Sequence, residues 1–117
     1  MPEARGLPAG VTRGGIGIDG PGPNGCCRMV HVAYVIGGRG VAVLDMGPGD
    51  IPVANKGSIN GTVSGAPAIV TQRKNPSSDG DFVSYEWSRD GLFLVMHVQL
   101  DGEVSREAAD RMADSVR

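Results

Sequence analysis

Two histidines and two adjacent cysteines are the residues of this sequence best suited to chemistry near neutral pH. His31 and His97 are its only histidines, and Cys26 and Cys27 its only cysteines. An imidazole can act as an acid, a base or a metal ligand, and a thiolate as a nucleophile or metal ligand. If the strands that carry the histidines were neighbours, His31, His97 and a cysteine could meet. An enzyme that uses one of these groups is therefore one hypothesis.

The sequence around these residues favours structural roles instead. Each histidine falls on the less apolar face of a long predicted strand, where half-exposed histidines are common. Cys26 and Cys27 are adjacent and lack a second Cys/His pair at metal-ligand spacing, so we expect two free thiols. No G-x-S-x-G motif and no phosphate-binding loop is present. We predict a protein that is not an enzyme and has no metal site and no cofactor.

One glycine-rich stretch matches a nucleotide-binding motif by its letters alone. Residues 15–20 read G-I-G-I-D-G, which fits the dinucleotide fingerprint G-x-G-x-x-G. That motif requires a helix to open directly on its glycines. Here Pro21, Gly22 and Pro23 follow and prevent a helix. Dinucleotide binding is therefore not expected.

Composition sets the size and class of the protein. The 117 residues include 19 glycines and 8 prolines scattered along the chain, which is typical of one domain of many strands and turns. The net charge of −2, without a cluster of Lys and Arg, argues against nucleic-acid binding. No apolar run approaches the ~18 residues of a membrane span, and the first residues do not resemble a signal peptide. The localisation stays open.

Hydrophobic periodicity predicts the secondary structure. Apolar residues alternate along Met29–Ile36 and Leu92–Leu100, as expected of half-buried strands. We predict an α+β fold with a single curved antiparallel sheet of about six strands and a C-terminal helix packed on one face. The turn Ser88–Gly91 has the composition of a type I turn followed by a left-handed glycine. As one domain, residues 1–117 divide into a Gly/Pro-rich entry with a short edge strand at Ile16 and Ile18 (1–28), the sheet (29–103) and the helix (104–117).

The C-terminal helix has a clear start and one apolar stripe. Ser105 is placed to cap its N-terminus. Residues at helical spacing then form the apolar stripe: Ala108, Ala109, Met112, Ala113 and Val116. The small alanines allow the helix to lie close to the sheet.

Six short stretches follow one another along the chain. They are Leu7-Pro8-Ala9-Gly10, Val32-Ala33-Tyr34, Val63-Ser64-Gly65, Tyr85-Glu86-Trp87, Arg89-Asp90-Gly91 and Met112-Ala113-Asp114-Ser115-Val116. In this order, they resemble the extracytoplasmic C-terminal domains of bacterial anti-sigma-factor and lipoprotein-carrier-like proteins. The resemblance implies a curved antiparallel sheet wrapped on a helix. It also implies a sensor or apolar-ligand binder outside the cytoplasm, without catalytic residues.

The leading functional hypothesis is a non-enzymatic binding or regulatory domain, with a protein partner or an apolar ligand. Its ligand site would be an apolar groove between sheet and helix, which concentrates the large side chains of a protein with few aromatics. The residues expected to line it are Tyr85, Trp87, Leu94, Met96 and Met112. The alternative is a small self-associating protein that forms a homodimer through a sheet edge.

Overall fold

The computed structural model describes residues 2–19, 29–74, 81–100 and 104–117, with Asp19 described by its backbone alone. Within these residues, seven antiparallel strands form one open sheet, and one α-helix lies near the C-terminus. The α+β fold with a single antiparallel sheet is therefore confirmed. The sheet has seven strands, where about six were predicted. The strands are β1 (Val11–Asp19), β2 (Met29–Ile36), β3 (Arg39–Pro48), β4 (Gly61–Val63), β5 (Ala66–Lys74), β6 (Asp81–Arg89) and β7 (Leu92–Leu100). A 3-10 helix (Val53–Ser58) precedes β4, and the α-helix α1 is Arg106–Asp114.

The sheet consists of two meanders joined along one strand pair. Its order is β1-β2-β3-β7-β6-β5-β4, so β3 and β7 lie side by side at the junction. The connection between β3 and β4 must run from this junction to the far edge. Asp50 anchors its start by accepting hydrogen bonds from the Ser88 hydroxyl and from the Lys56 ammonium group. These hydrogen bonds lower the pKa of Asp50 to about 2, and the bond from Ser88 has the larger effect.

Three hairpins close with two-residue loops in the left-handed region. The loops are Gly37–Gly38, Ser64–Gly65 and Asp90–Gly91, and all six residues have positive φ. Positive φ at both positions is the type I′ arrangement, whose twist matches that of paired strands. Arg89 pairs directly with Leu92, so the type I turn predicted for Ser88–Gly91 was wrong. The register leaves room for two loop residues, Asp90 (φ 53°) and Gly91 (φ 80°).

The strand β1 is longer than the short edge strand expected around Ile16 and Ile18. It pairs with β2 from Val11 to Asp19, with a register shift between Arg13 and Ile16. Beyond Ile16 and Ile18, the strand offers no apolar alternation, but an edge strand needs its backbone and not its side chains to pair with a neighbour. The sheet therefore begins within the segment predicted as a loop-like entry.

The two faces of the sheet differ in what covers them. We call the face that packs against α1 the inner face and the opposite one the outer face. Away from the register shifts in β1 and β3, inner-face residues alternate with outer-face residues along the strands. Fully buried side chains of the inner face include Val32, Tyr34, Leu44, Val63, Val83, Trp87, Leu94, Met96 and Val98.

The helix α1 closes the inner face with its alanine-rich stripe. The Ser105 hydroxyl accepts a hydrogen bond of 3.1 Å from the Ala108 backbone N–H, which confirms the predicted N-cap. Ala108, Ala109, Met112 and Ala113 are buried. The helix spans nine residues and ends at Asp114, where the predicted segment continued to residue 117. None of the described helices combines the length and apolar character needed to cross a membrane.

The chain before β1 completes the cover of the inner face. Glu3 and Arg117 exchange two backbone hydrogen bonds, of 2.9 and 3.1 Å. The Ala4 N–H donates to the hydroxyl of buried Tyr34 at 2.7 Å. A Cβ at Gly6 would lie 3.1 Å from the Ser115 Cβ, so this close approach favours glycine. The two ends of the described chain thus hold each other above β2.

The docked helix gives a direct stability prediction. Ala109→Asp places an unpaired carboxylate in the core, because Ala109 is fully buried. We expect it to lower the free energy of unfolding by about 3 kcal/mol or more. Arg111→Asp is the matched control, since Arg111 is exposed on the same helix. Both are compared by urea denaturation, and equal small losses would show that α1 is not packed on the sheet.

Candidate functional site

The five residues predicted to line a groove do come together, but as packed core. Met96 pairs with Tyr85 and Leu94 with Trp87 across β6 and β7. Met112 lies on the buried stripe of α1, which contacts these two strands. All five expose 2% of their surface or less. The seam between sheet and helix is therefore closed, and its opening for a ligand stays a prediction.

A polar network lies at the rim of this seam. The Tyr85 hydroxyl donates a hydrogen bond to Asp110 Oδ1. Arg106 donates from Nε to the same oxygen at 2.9 Å and from Nη1 to Gln72 Oε1 at 2.7 Å. The network thus ties α1 to β6 and β5. It lines one side of a cleft of about 330 Å³ that also includes Asp114.

The hydrogen bond between Tyr85 and Asp110 holds α1 to β6, and we call it the Tyr85 latch. Burial, and then the hydrogen bond and negative charge of Asp110, raise the pKa of Tyr85 above its ordinary value. The hydroxyl therefore keeps its proton and remains a donor. The hydrogen bond to Asp110 likewise raises the pKa of Arg106. Sequence periodicity placed Tyr85 on the buried face but gave no sign that its hydroxyl would meet Asp110.

The two histidines share the outer face but do not form one site. The β3 strand lies between β2, which carries His31, and β7, which carries His97. Two strand spacings separate these backbones by about 10 Å. His31 Nδ1 forms a hydrogen bond with Asp45 Oδ1 on β3. Cys26 and Cys27 lie outside the described residues, so the prediction of free thiols stays a prediction.

His97 instead contacts a serine on the neighbouring strand. Its Nδ1 lies 2.8 Å from the Ser84 hydroxyl, and the two residues are a cross-strand pair. A serine nucleophile requires a base that a third group orients. Among the described residues, no carboxylate forms a hydrogen bond with His97. The pair has the geometry of an ordinary polar contact on a sheet face.

An apolar cleft opens on the outer face where the two meanders part. Pairing between β3 and β7 ends at Ala42 and Val98, after which each strand follows only its other neighbour. Val41 is skipped by the pairing with β2, so the backbone of β3 bulges at this point. The resulting cleft measures about 510 Å³. Its lining is mainly apolar and comprises Ala33, Gly40, Val41, Ala42, Val43, Phe82, His97, Val98 and Gln99.

A smaller cleft adjoins the apolar one, and we call it the polar cleft because five of its six lining residues have polar or charged side chains. It measures about 260 Å³ and is lined by Thr71, Arg73, Phe82, Ser84, Glu86 and His97. Phe82 and His97 belong to both clefts and stand between them. The outer face thus offers an apolar recess next to a group of polar side chains, which is the usual composition of a small-molecule site.

Neither metal-binding residues nor comparisons with known proteins assign a function to the described part of the chain. In the described ranges, no group of three or more His, Cys, Asp or Glu side chains is arranged to hold a metal ion. No protein family, curated protein or solved structure matches the chain.

The Tyr85 latch predicts how stability depends on alkaline pH. The pKa of Tyr85 is raised in the folded state above its ordinary value of 10.0. As the pH rises through 10, the unfolded chain loses the Tyr85 proton before the folded chain does, so the free energy of unfolding falls. Tyr85 contributes at most about 1.4 kcal/mol per pH unit to this slope. We expect Tyr85→Phe to make the slope shallower.

The measurement is urea denaturation from about pH 8 to pH 11, a range that brackets the ordinary tyrosine pKa. Burial also raises the pKa of Tyr34, so the variant should keep the part of the slope that Tyr34 contributes. Identical slopes for the wild type and Tyr85→Phe would contradict the proposed latch.

Proposed function

We propose that this chain is a non-enzymatic binding domain that takes an apolar group into the cleft between β3 and β7. The observation that carries the proposal is the apolar lining of this cleft, about 510 Å³ in volume, on the outer face. Ligand sites of this size commonly combine apolar walls with a few polar groups. Here His97 and Gln99 supply the polar groups at the cleft.

The packing of the inner face supports this choice of surface. Trp87, Leu94, Met96 and Met112 are at most 1% exposed, so a ligand could enter the seam only by displacing α1. Val43 and Phe82, by contrast, are half-buried on the outer face and remain accessible. Binding there costs no rearrangement of the core. A regulatory or sensor role outside the cytoplasm, which the resemblance to anti-sigma-factor domains implies, is part of this proposal.

The two phenylalanines of the chain provide a matched test. Both are half-buried on the outer face, Phe82 on β6 at the cleft and Phe93 on β7 away from it. We expect Phe82→Ala to weaken binding of the uncharged fluorescent probe N-phenylnaphthylamine by about fivefold or more, because the ring supplies apolar contact area. Phe93→Ala should leave the affinity unchanged.

Probe titration is accompanied by far-ultraviolet circular dichroism to confirm that both variants are folded. If the probe does not bind the wild type, or if both variants weaken it equally, the cleft is not the binding site. Equal losses would indicate a general effect on the sheet.

A second candidate function is self-association through the edge strand β1. Ile16 and Ile18 are 46% and 61% exposed, and residues 14–18 carry no charge. An uncharged stretch of an edge strand with exposed apolar side chains is a ready surface for pairing with another strand. A second copy of the chain would extend the sheet by pairing β1 with β1 as a homodimer.

The oligomeric mass at increasing protein concentration tests this alternative. If β1 pairs between copies, Ile18→Lys should abolish the dimer by placing two charges at the contact. Val53→Lys is the control, since Val53 is 85% exposed on the 3-10 helix. A monomer at every concentration, or a dimer that survives Ile18→Lys, would exclude association through β1.

A further inference from the structure

We infer that the ligand of the outer face is an anionic amphiphile, with its acidic head group at Arg73 and its hydrocarbon chain in the cleft between β3 and β7. This inference rests on the proposed function and adds the chemical class of the ligand. It covers single-chain carboxylates and related amphiphiles, which present one negative charge at the end of an apolar chain.

Arg73 is the cation at the polar cleft that would bind the head group. Arg73 is exposed in the smaller cleft. Within the described residues, it forms no ion pair and no side-chain hydrogen bond. A guanidinium group binds carboxylate and phosphate oxygens through two parallel hydrogen bonds. None of the Arg73 donors is therefore taken by another of the described residues, and the Thr71 and Ser84 side chains line the same cleft.

The apolar cleft and the polar cleft are continuous with each other. Phe82 and His97 line both, so a molecule in the apolar cleft reaches the polar one by passing these two side chains. Gln99, Phe82 and Arg73 lie in one row across β7, β6 and β5. From β3 to β5 the sheet measures three strand spacings, or about 14 Å. That length suits one extended hydrocarbon chain with its head group at Arg73.

The one acidic residue of the polar cleft limits where the head group can lie. Glu86 also lines this cleft, but it pairs with Ile69 while Arg73 pairs with Phe82, four residues away along β6. An anionic head group is thus drawn to the Arg73 end and repelled from the Glu86 end. This orients the ligand with its chain toward Val43 and Ala33.

The test compares decanoate with decanol by isothermal titration calorimetry at concentrations below micelle formation. The two ligands share one chain length and differ in the charged head group. Arg73→Gln should weaken decanoate binding by up to about fivefold, as expected of a solvent-exposed ion pair, and leave decanol binding unchanged. Lys74→Gln is the matched control, because Lys74 is an adjacent exposed cation on the opposite face of β5.

Each outcome separates the inference from the proposed function. Selective loss of decanoate binding in Arg73→Gln, and not in Lys74→Gln, supports both. If both ligands bind the wild type and neither variant distinguishes them, the anionic head group is wrong while the apolar cleft stands. If neither these ligands nor the uncharged probe binds, the proposed function fails with the inference. Occupation of this face by a second copy, seen as a dimer that excludes the probe, would overturn both.

Discussion

The packing of one short helix against one face of a wide sheet is the constraint on which the rest of the structure depends. With nine residues, α1 presents alanines that allow a close approach, and Met112 fills the space above β6 and β7. The N-terminal segment extends this cover over β2 through the hydrogen bond between Ala4 and Tyr34. Both buried tyrosines thus use their hydroxyls to fix the cover, Tyr34 as an acceptor and Tyr85 as a donor to Asp110. Trp87, Leu94, Met96 and Met112 are packed in this closure and are at most 1% exposed.

In the proposed function, this closure leaves recognition to the other face of the sheet. The two meanders share the β3–β7 pair, and their divergence beyond Ala42 and Val98 creates a recess without disturbing the core. Because strands alternate their side chains, the same strands can bury Leu44 and Met96 on one face and present Val43 and His97 on the other. In the proposed function, stability and binding are carried largely by different side chains of the same elements, although Val98 belongs both to the core and to the lining of the cleft.

The sequence predicted the elements with local signals and missed the features that depend on distant partners. Alternation in β2 and β7 and the Ser105 cap are local, so they were read correctly. In β1, only the part around Ile16 and Ile18 was predicted, because the extension to Val11 depends on pairing with β2. Whether β2 and β7 are neighbours depends on the strand order, which places β3 between His31 and His97. The recess between β3 and β7 also depends on that order, so the residue pattern of either strand alone does not predict it. The hydrogen bond between Tyr85 and Asp110 joins residues 25 positions apart, and the sequence pattern did not predict it either.

Amide chemical-shift mapping by nuclear magnetic resonance tests the central claim, that the seam is closed and the outer face binds. The indole N–H of Trp87, the one tryptophan, reports on the seam. The amides of Val43, Phe82 and Gln99 report on the cleft. On titration with an apolar ligand, we expect the cleft amides to shift most and the Trp87 indole to stay in place. If the Trp87 indole and the amides of α1 shift most, the seam opens for the ligand and the account is wrong.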